Sequence, residues 1–141
     1  MREWVPVTLY GLVALALVGQ GVRYLFATQL MPYHQAVIET PWQELAPSYQ
    51  RLFSGLLYGF GAGCLCVGAI LACLVLGPLR QGDARARWAI PMIAGGYTLA
   101  LLYVTEFALL PGATPITVSA VLLGMVVVAA ACSCFRRAPS N

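Results

Sequence analysis

The chain's 141 residues are 60% hydrophobic and only 9% charged, with a mean hydropathy of +0.80. Soluble domains hold ~45–50% apolar and ~25% charged residues, so this chain lacks the polar side chains needed to cover a water-soluble globule. The net charge of +3 comes from arginine alone, without lysine, and the arginines are scattered between apolar runs rather than gathered into a nucleic-acid patch.

Four apolar runs follow one another, at 5–30, 52–77, 88–110 and 116–135. Each is near or above the ~20 residues that carry a helix across a ~30 Å hydrocarbon core. In lipid the backbone must satisfy its own polar groups, which selects helices. Run one passes through Ala14-Leu15-Ala16, which looks like a signal-peptide cleavage motif. It continues far beyond that motif and exceeds the ~7–15 apolar residues of a signal peptide, so a span is expected.

Between runs one and two lies the longest polar stretch, residues 31–51. Thr40-Pro41-Trp42-Gln43 reads as a capping box with proline at the first helical position, and Pro47 as a second break. Short interfacial helices held by Trp42 and Leu45 are expected there, lying over the mouth of the spans. Gly77-Pro78 is predicted to end run two, since proline cannot continue a helix. Asp83 is placed to cap a helix from Ala84, with Pro91 near its start, where it is tolerated or bends the chain. Pro111-Gly112 closes run three, and Thr114-Pro115 opens run four with a cap and a first-turn proline. The later connections are short, and short connections make antiparallel neighbours. The expected fold is therefore all-α: a single membrane domain over 1–141, an up-down-up-down four-helix bundle.

Arginine also sets the orientation. Arg2, Arg80, Arg85, Arg87, Arg136 and Arg137 fall on one side of a four-span arrangement and Arg51 on the other. Positive residues accumulate on the cytoplasmic side, so both termini and the 78–87 loop are expected in the cytoplasm of a cell whose inner membrane holds the protein. Trp4 and Trp88 then mark the inner interface, and Tyr33, Trp42 and Tyr49 the outer one.

Gly55, Gly59 and Gly63 recur every four residues in run two, with a second small ridge through Cys64, Gly68 and Ala72. Small residues let helix backbones approach closely in lipid, so the first ridge is expected to pack another helix within the bundle, or to form a homodimer seam. The cysteines (Cys64, Cys66, Cys73, Cys132 and Cys134) sit in runs two and four without neighbouring His or carboxylate ligands, and are read as small packing residues. No metal or cofactor is expected. The single histidine, His34, follows Pro32-Tyr33 in the outer loop and is read as a hydrogen-bonded interfacial side chain whose near-neutral pKa leaves a switch role open.

Two charges lie inside the runs. At ~1.5 Å per residue, Arg23 lies about 28 Å beyond Trp4 and Glu106 about 27 Å beyond Trp88, so both reach the same outer depth. Gln20 sits one turn below Arg23 and Tyr103 one turn below Glu106, and Tyr58 enters the layer from run two. Intramembrane charges face the bundle interior and pair. These five residues form the expected polar site, read as a structural ion pair or a ligand or proton site.

Met31-Pro32-Tyr33-His34, then Trp42 and Leu45, then the glycine-rich second run resemble a group of small bacterial four-span membrane proteins. The resemblance covers about half the chain and implies the four-span fold without an activity. No nucleophile–base pair, metal cluster or phosphate loop is present. The expected function is thus non-catalytic: an accessory subunit of a larger membrane complex, or a binder of a lipid-like molecule near the outer leaflet. The rivals are a small oligomeric transporter or channel using Arg23 and Glu106, and an enzyme on a lipid or quinone with Glu106, Tyr103 and His34. Orientation is directly testable. A cysteine at Ser48 should react with an impermeant thiol reagent added to spheroplasts, and one at Asp83 should not; the reverse pattern would invert the topology.

Overall fold

The computed structural model describes residues 4–104 and 116–134. These are helical throughout, with no strand among the described residues. Helix α1 spans Trp4–Leu25, α2 Pro32–Ile38, α3 Pro47–Leu74, α4 Ala84–Tyr103 and α5 Ile116–Cys134. A single 3-10 turn at Trp42–Glu44 separates α2 from α3.

Two helices are long and apolar enough to cross a membrane: α1, and α3 with the continuation that carries it to Leu79, 33 residues in all. Within α4, Arg85, Arg87, two glycines and two tyrosines dilute the apolar residues. In α5 the apolar stretch runs over Val118–Ser133. The Thr114-Pro115 start expected for α5 and the Pro111-Gly112 stop of α4 lie outside the described residues.

Local signals acted in part as expected. Asp83 caps α4, its Oδ1 accepting from Arg85 N at 2.7 Å. Gly77-Pro78, by contrast, does not stop α3. Proline lacks the N–H for a regular helical bond, and the chain absorbs it by widening into a π turn over Val75–Leu79. The reversal comes at Gly82, whose φ of +82° suits a residue without Cβ. The capping box at Thr40 does not form either. Thr40 Oγ1 donates to Ile38 O at 3.1 Å, and extended Pro41 precedes the 3-10 turn, which has no side-chain cap.

Contact along α1 and α3 is antiparallel and backbone-close. A Cβ on Gly21 would fall 2.7 Å from Leu65 N and 2.8 Å from Gly61 O. One on Gly61 would meet Gly21 O at 2.9 Å, and one on Gly68 would meet Val18 N at 2.9 Å and Ala14 O at 3.0 Å. At the far end Arg80 stacks over the Trp4 ring, 5.6 Å from its centroid. Helix α4 runs back along α3, with Cys64 Sγ and Tyr97 OH 3.1 Å apart.

The expected ridge is therefore corrected. Gly55 and Gly59 have open space where a Cβ would stand, and Gly63 meets only Tyr97 OH, at 3.7 Å. The face that α1 touches belongs to Gly61, Cys64 and Gly68, all buried. Two residues are about 200° of helical turn, so a ridge begun at 59 and one begun at 61 face nearly opposite ways.

One core joins all four long helices: Tyr10, Val13, Ala14 and Leu17 of α1 meet Leu71 and Val75, Ile90 and Ala94 of α4, and Leu122, Val126 and Ala129 of α5. A second cluster sits at the other end of α1, where Tyr24, Leu30 and Leu57 pack with Trp42, Leu45, Phe53 and Phe60. The outward faces are apolar too, with Leu15, Phe26, Leu56, Ile70, Leu76, Met92, Leu99, Val121 and Val127 all exposed.

Gly68→Leu should destabilise the protein by ~1–3 kcal/mol, the usual cost of overpacking, because its new atoms would meet the α1 backbone. Thermal unfolding in detergent should show a lower Tm for Gly68→Leu and no loss for Gly59→Leu. Equal losses would place the seam on both faces.

Candidate functional site

At the end of α1 remote from Trp4, the helices part around a cavity of about 520 Å³. Its walls come from α1 (Leu17, Gln20, Arg23 and Tyr24), α2 (Tyr33, His34, Val37 and Ile38), α3 (Phe53, Leu56, Leu57 and Phe60), Leu101 of α4, and α5 (Val118, Ser119 and Leu122). The volume lies within the ~300–1,000 Å³ typical of small-molecule sites. Most of the lining is hydrocarbon, and the polar exceptions cluster around Arg23 and His34.

The cover over this cavity is built by two glutamines. Gln35 Nε2 donates to Leu30 O at 2.7 Å, while its Oε1 accepts from Trp42 N at 3.2 Å. Gln50 Nε2 donates to Trp42 O at 2.8 Å, tying the 3-10 turn to the first turns of α3. The Gln35 bonds satisfy Leu30 O and Trp42 N, while Trp42 O also accepts from Leu45 N at 3.3 Å. Left-handed Glu39, at φ +51°, ends α2 and returns the chain toward the turn. Trp42 and Leu45 thus hold the loop down, as expected.

Within the cavity wall, the Tyr24 and Tyr33 hydroxyls are hydrogen-bonded to each other and join α1 to α2. The Tyr24 ring meets Phe60 edge-on, with centroids 4.8 Å apart. His34 lies against Tyr33, ring centroids 4.2 Å apart. Its Nδ1 is buried and has no hydrogen-bond partner among the described residues. Burial pushes the imidazole pKa below its usual 6.5, so the neutral form is favoured. Arg23 meets no carboxylate among the described residues; its Nη2 lies 3.7 Å from Met31 Sδ.

Of the expected polar residues, Gln20 and Arg23 are brought together, and the outer-loop residues Tyr33 and His34 join them. Tyr58 and Tyr103 do not line the cavity and are exposed at the helix surface. Tyr58 was expected in the polar layer on depth alone, but its helix face turns outward. Glu106 lies outside the described residues, and with it the expected ion pair. Sequence reasoning missed Tyr24, although it stands one turn above Gln20 and three residues beyond Gly21, on the face turned toward α3. Trp42 lies in the covering cluster rather than the cavity wall.

Among the described residues no group of His, Cys, Asp or Glu is placed to hold a metal. Cys64 is buried, and Cys66, Cys73 and Cys132 are exposed as free thiols. Comparison with family models, characterised proteins and solved structures finds no match for this chain.

The lowered His34 pKa has a signed consequence. The native state binds fewer protons than the unfolded chain below about pH 6.5, so stability is whole above that value and declines as pH falls toward the lower native pKa. Thermal unfolding between pH 7.5 and pH 5 should show a decline that is shallower in His34→Leu. Identical pH profiles would mean that His34 titrates as freely in the native state as in the unfolded chain.

Proposed function

We propose that the chain is a four-span bundle in a bacterial inner membrane, with both termini cytoplasmic, and that it binds a lipid-like molecule near the outer leaflet without transforming it. The observation that carries the binding reading is the cavity itself: an apolar chamber with one polar cluster around Arg23, Gln20 and His34. Hydrocarbon walls receive an apolar chain as lipid does and spare it contact with water, and the polar lining residues fix which end stays outward.

The membrane reading rests on the outward faces. Large apolar side chains stand exposed on all four long helices, and soluble monomers rarely expose contiguous apolar patches of more than a few hundred Å². Helices apolar all round belong in lipid. The Trp4–Arg80 stacking supports the proposed orientation, because it gathers the start of α1 and the arginine-bearing 78–87 loop at one end. The cavity then opens toward the opposite leaflet, beneath the short α2 and the 3-10 turn. The resemblance to small bacterial four-span proteins agrees with this arrangement.

Native mass spectrometry after extraction in mild detergent tests the binding reading. The wild-type protein should carry one reproducible apolar-chain molecule. Leu122→Trp, which fills the cavity from α5, should lose it while remaining folded. Protein free of any such molecule, or equal retention by Leu122→Trp, would overturn the proposal.

A further inference from the structure

The head of the bound molecule is set by what the cavity wall leaves uncompensated. Arg23 is the one charged residue among the described lining residues. Among the described residues it meets no carboxylate, and its Nη2 lies 3.7 Å from the Met31 thioether sulfur, a weak acceptor. A guanidinium at the rim of an apolar chamber offers paired N–H donors that an anionic or strongly accepting group satisfies best. His34 lines the same chamber with a buried Nδ1 that has no hydrogen-bond partner among the described residues, and Gln20, one turn below Arg23 on α1, offers it an amide. Most of the remaining described lining, from Leu17 and Leu56 to Val118 and Leu122, is hydrocarbon, with Ser119 the polar residue that α5 adds.

Resting on the binding reading above, we infer that the cavity selects a single-chain amphiphile with an anionic head group, a carboxylate or a phosphate monoester, held by Arg23 with Gln20 and His34 beside it. Charge complementarity argues for an anion over a neutral alcohol or quinone. Arginine presents paired N–H donors that match two oxygens of a carboxylate or phosphate, which a single hydroxyl or carbonyl does not use. A cationic head would meet like charge at the same place. The volume of about 520 Å³ accommodates a single chain. Arg23 is itself exposed at the cavity margin, so the charged head stays at the rim while the chain descends.

The test uses the full chain in neutral detergent at pH 8, titrated with oleate, oleoyl lysophosphatidate and oleyl alcohol. At least one of the two anions should bind one per chain and at least tenfold more tightly than the alcohol. The tighter of the two identifies the head. Arg23→Gln should abolish the preference by weakening anion binding at least tenfold more than alcohol binding, and Arg23→Lys should keep part of it. Unfolding curves for these two variants and for Leu122→Trp establish that all three fold. Leu122→Trp should remove binding of all three. If anions and alcohol bind equally and Leu122→Trp removes both, the cavity receives amphiphiles but the anionic selection is wrong. If no binding responds to Leu122→Trp, the binding reading fails together with it.

Discussion

The backbone-to-backbone contact of α1 with α3 is the constraint on which the other features of this molecule depend. Gly21, Gly61 and Gly68 remove the Cβ atoms that would hold the two helices apart. In the membrane placement we propose, neither helix has a hydrophobic motive to leave lipid for its neighbour, so close van der Waals contact between small residues supplies the attraction. Tightness on this face also decides where space remains. Tyr24 Cβ stands among the atoms that a side chain on residue 61 would strike, and from there the Tyr24 ring reaches Phe60 and its hydroxyl reaches Tyr33. The cavity wall therefore begins at the helix contact.

Over this frame the loop is organised by amides rather than by apolar packing alone. Gln35 bridges Leu30 to Trp42, and Gln50 holds Trp42 from the α3 side. Without those bonds the segment would present free backbone groups close to an apolar chamber, each of which costs ~1–3 kcal/mol when buried unpaired. The same bonds seat α2 so that His34 faces inward with its Nδ1 covered. Among the described lining residues, a neutral imidazole adds hydrogen-bonding capacity to a chamber whose one charge is the Arg23 guanidinium.

The helices were legible in the sequence because apolar runs of bilayer length leave few alternatives, and the Asp83 cap was legible because Asx capping is local chemistry. Other features depended on phase or on distant partners. The α1 contact was legible in part: Cys64 and Gly68 of the second small ridge carry it together with Gly61, whereas Gly55, Gly59 and Gly63, equally suggestive by their spacing, face away from α1. Spacing identifies a ridge but not which ridge a neighbour chooses. Pro78 was read as a stop, yet a π turn absorbs it. Tyr58 was placed by depth, and depth says nothing about azimuth. His34 and Tyr33 were noticed as loop residues; their convergence with Gln20 and Arg23 requires the return of α2 over the spans, which no local pattern encodes.

The central claim is that the helix contact shapes the cavity, and occupancy of the cavity in Gly61→Val tests it most directly. Residue 61 does not line the chamber, so a change there acts only through the position of α1 and Tyr24. Native mass spectrometry of folded Gly61→Val should show the bound amphiphile lost or sharply reduced relative to wild type. Full occupancy in a folded Gly61→Val protein would contradict the account, because the chamber would then be set by something other than the approach of α1 to α3.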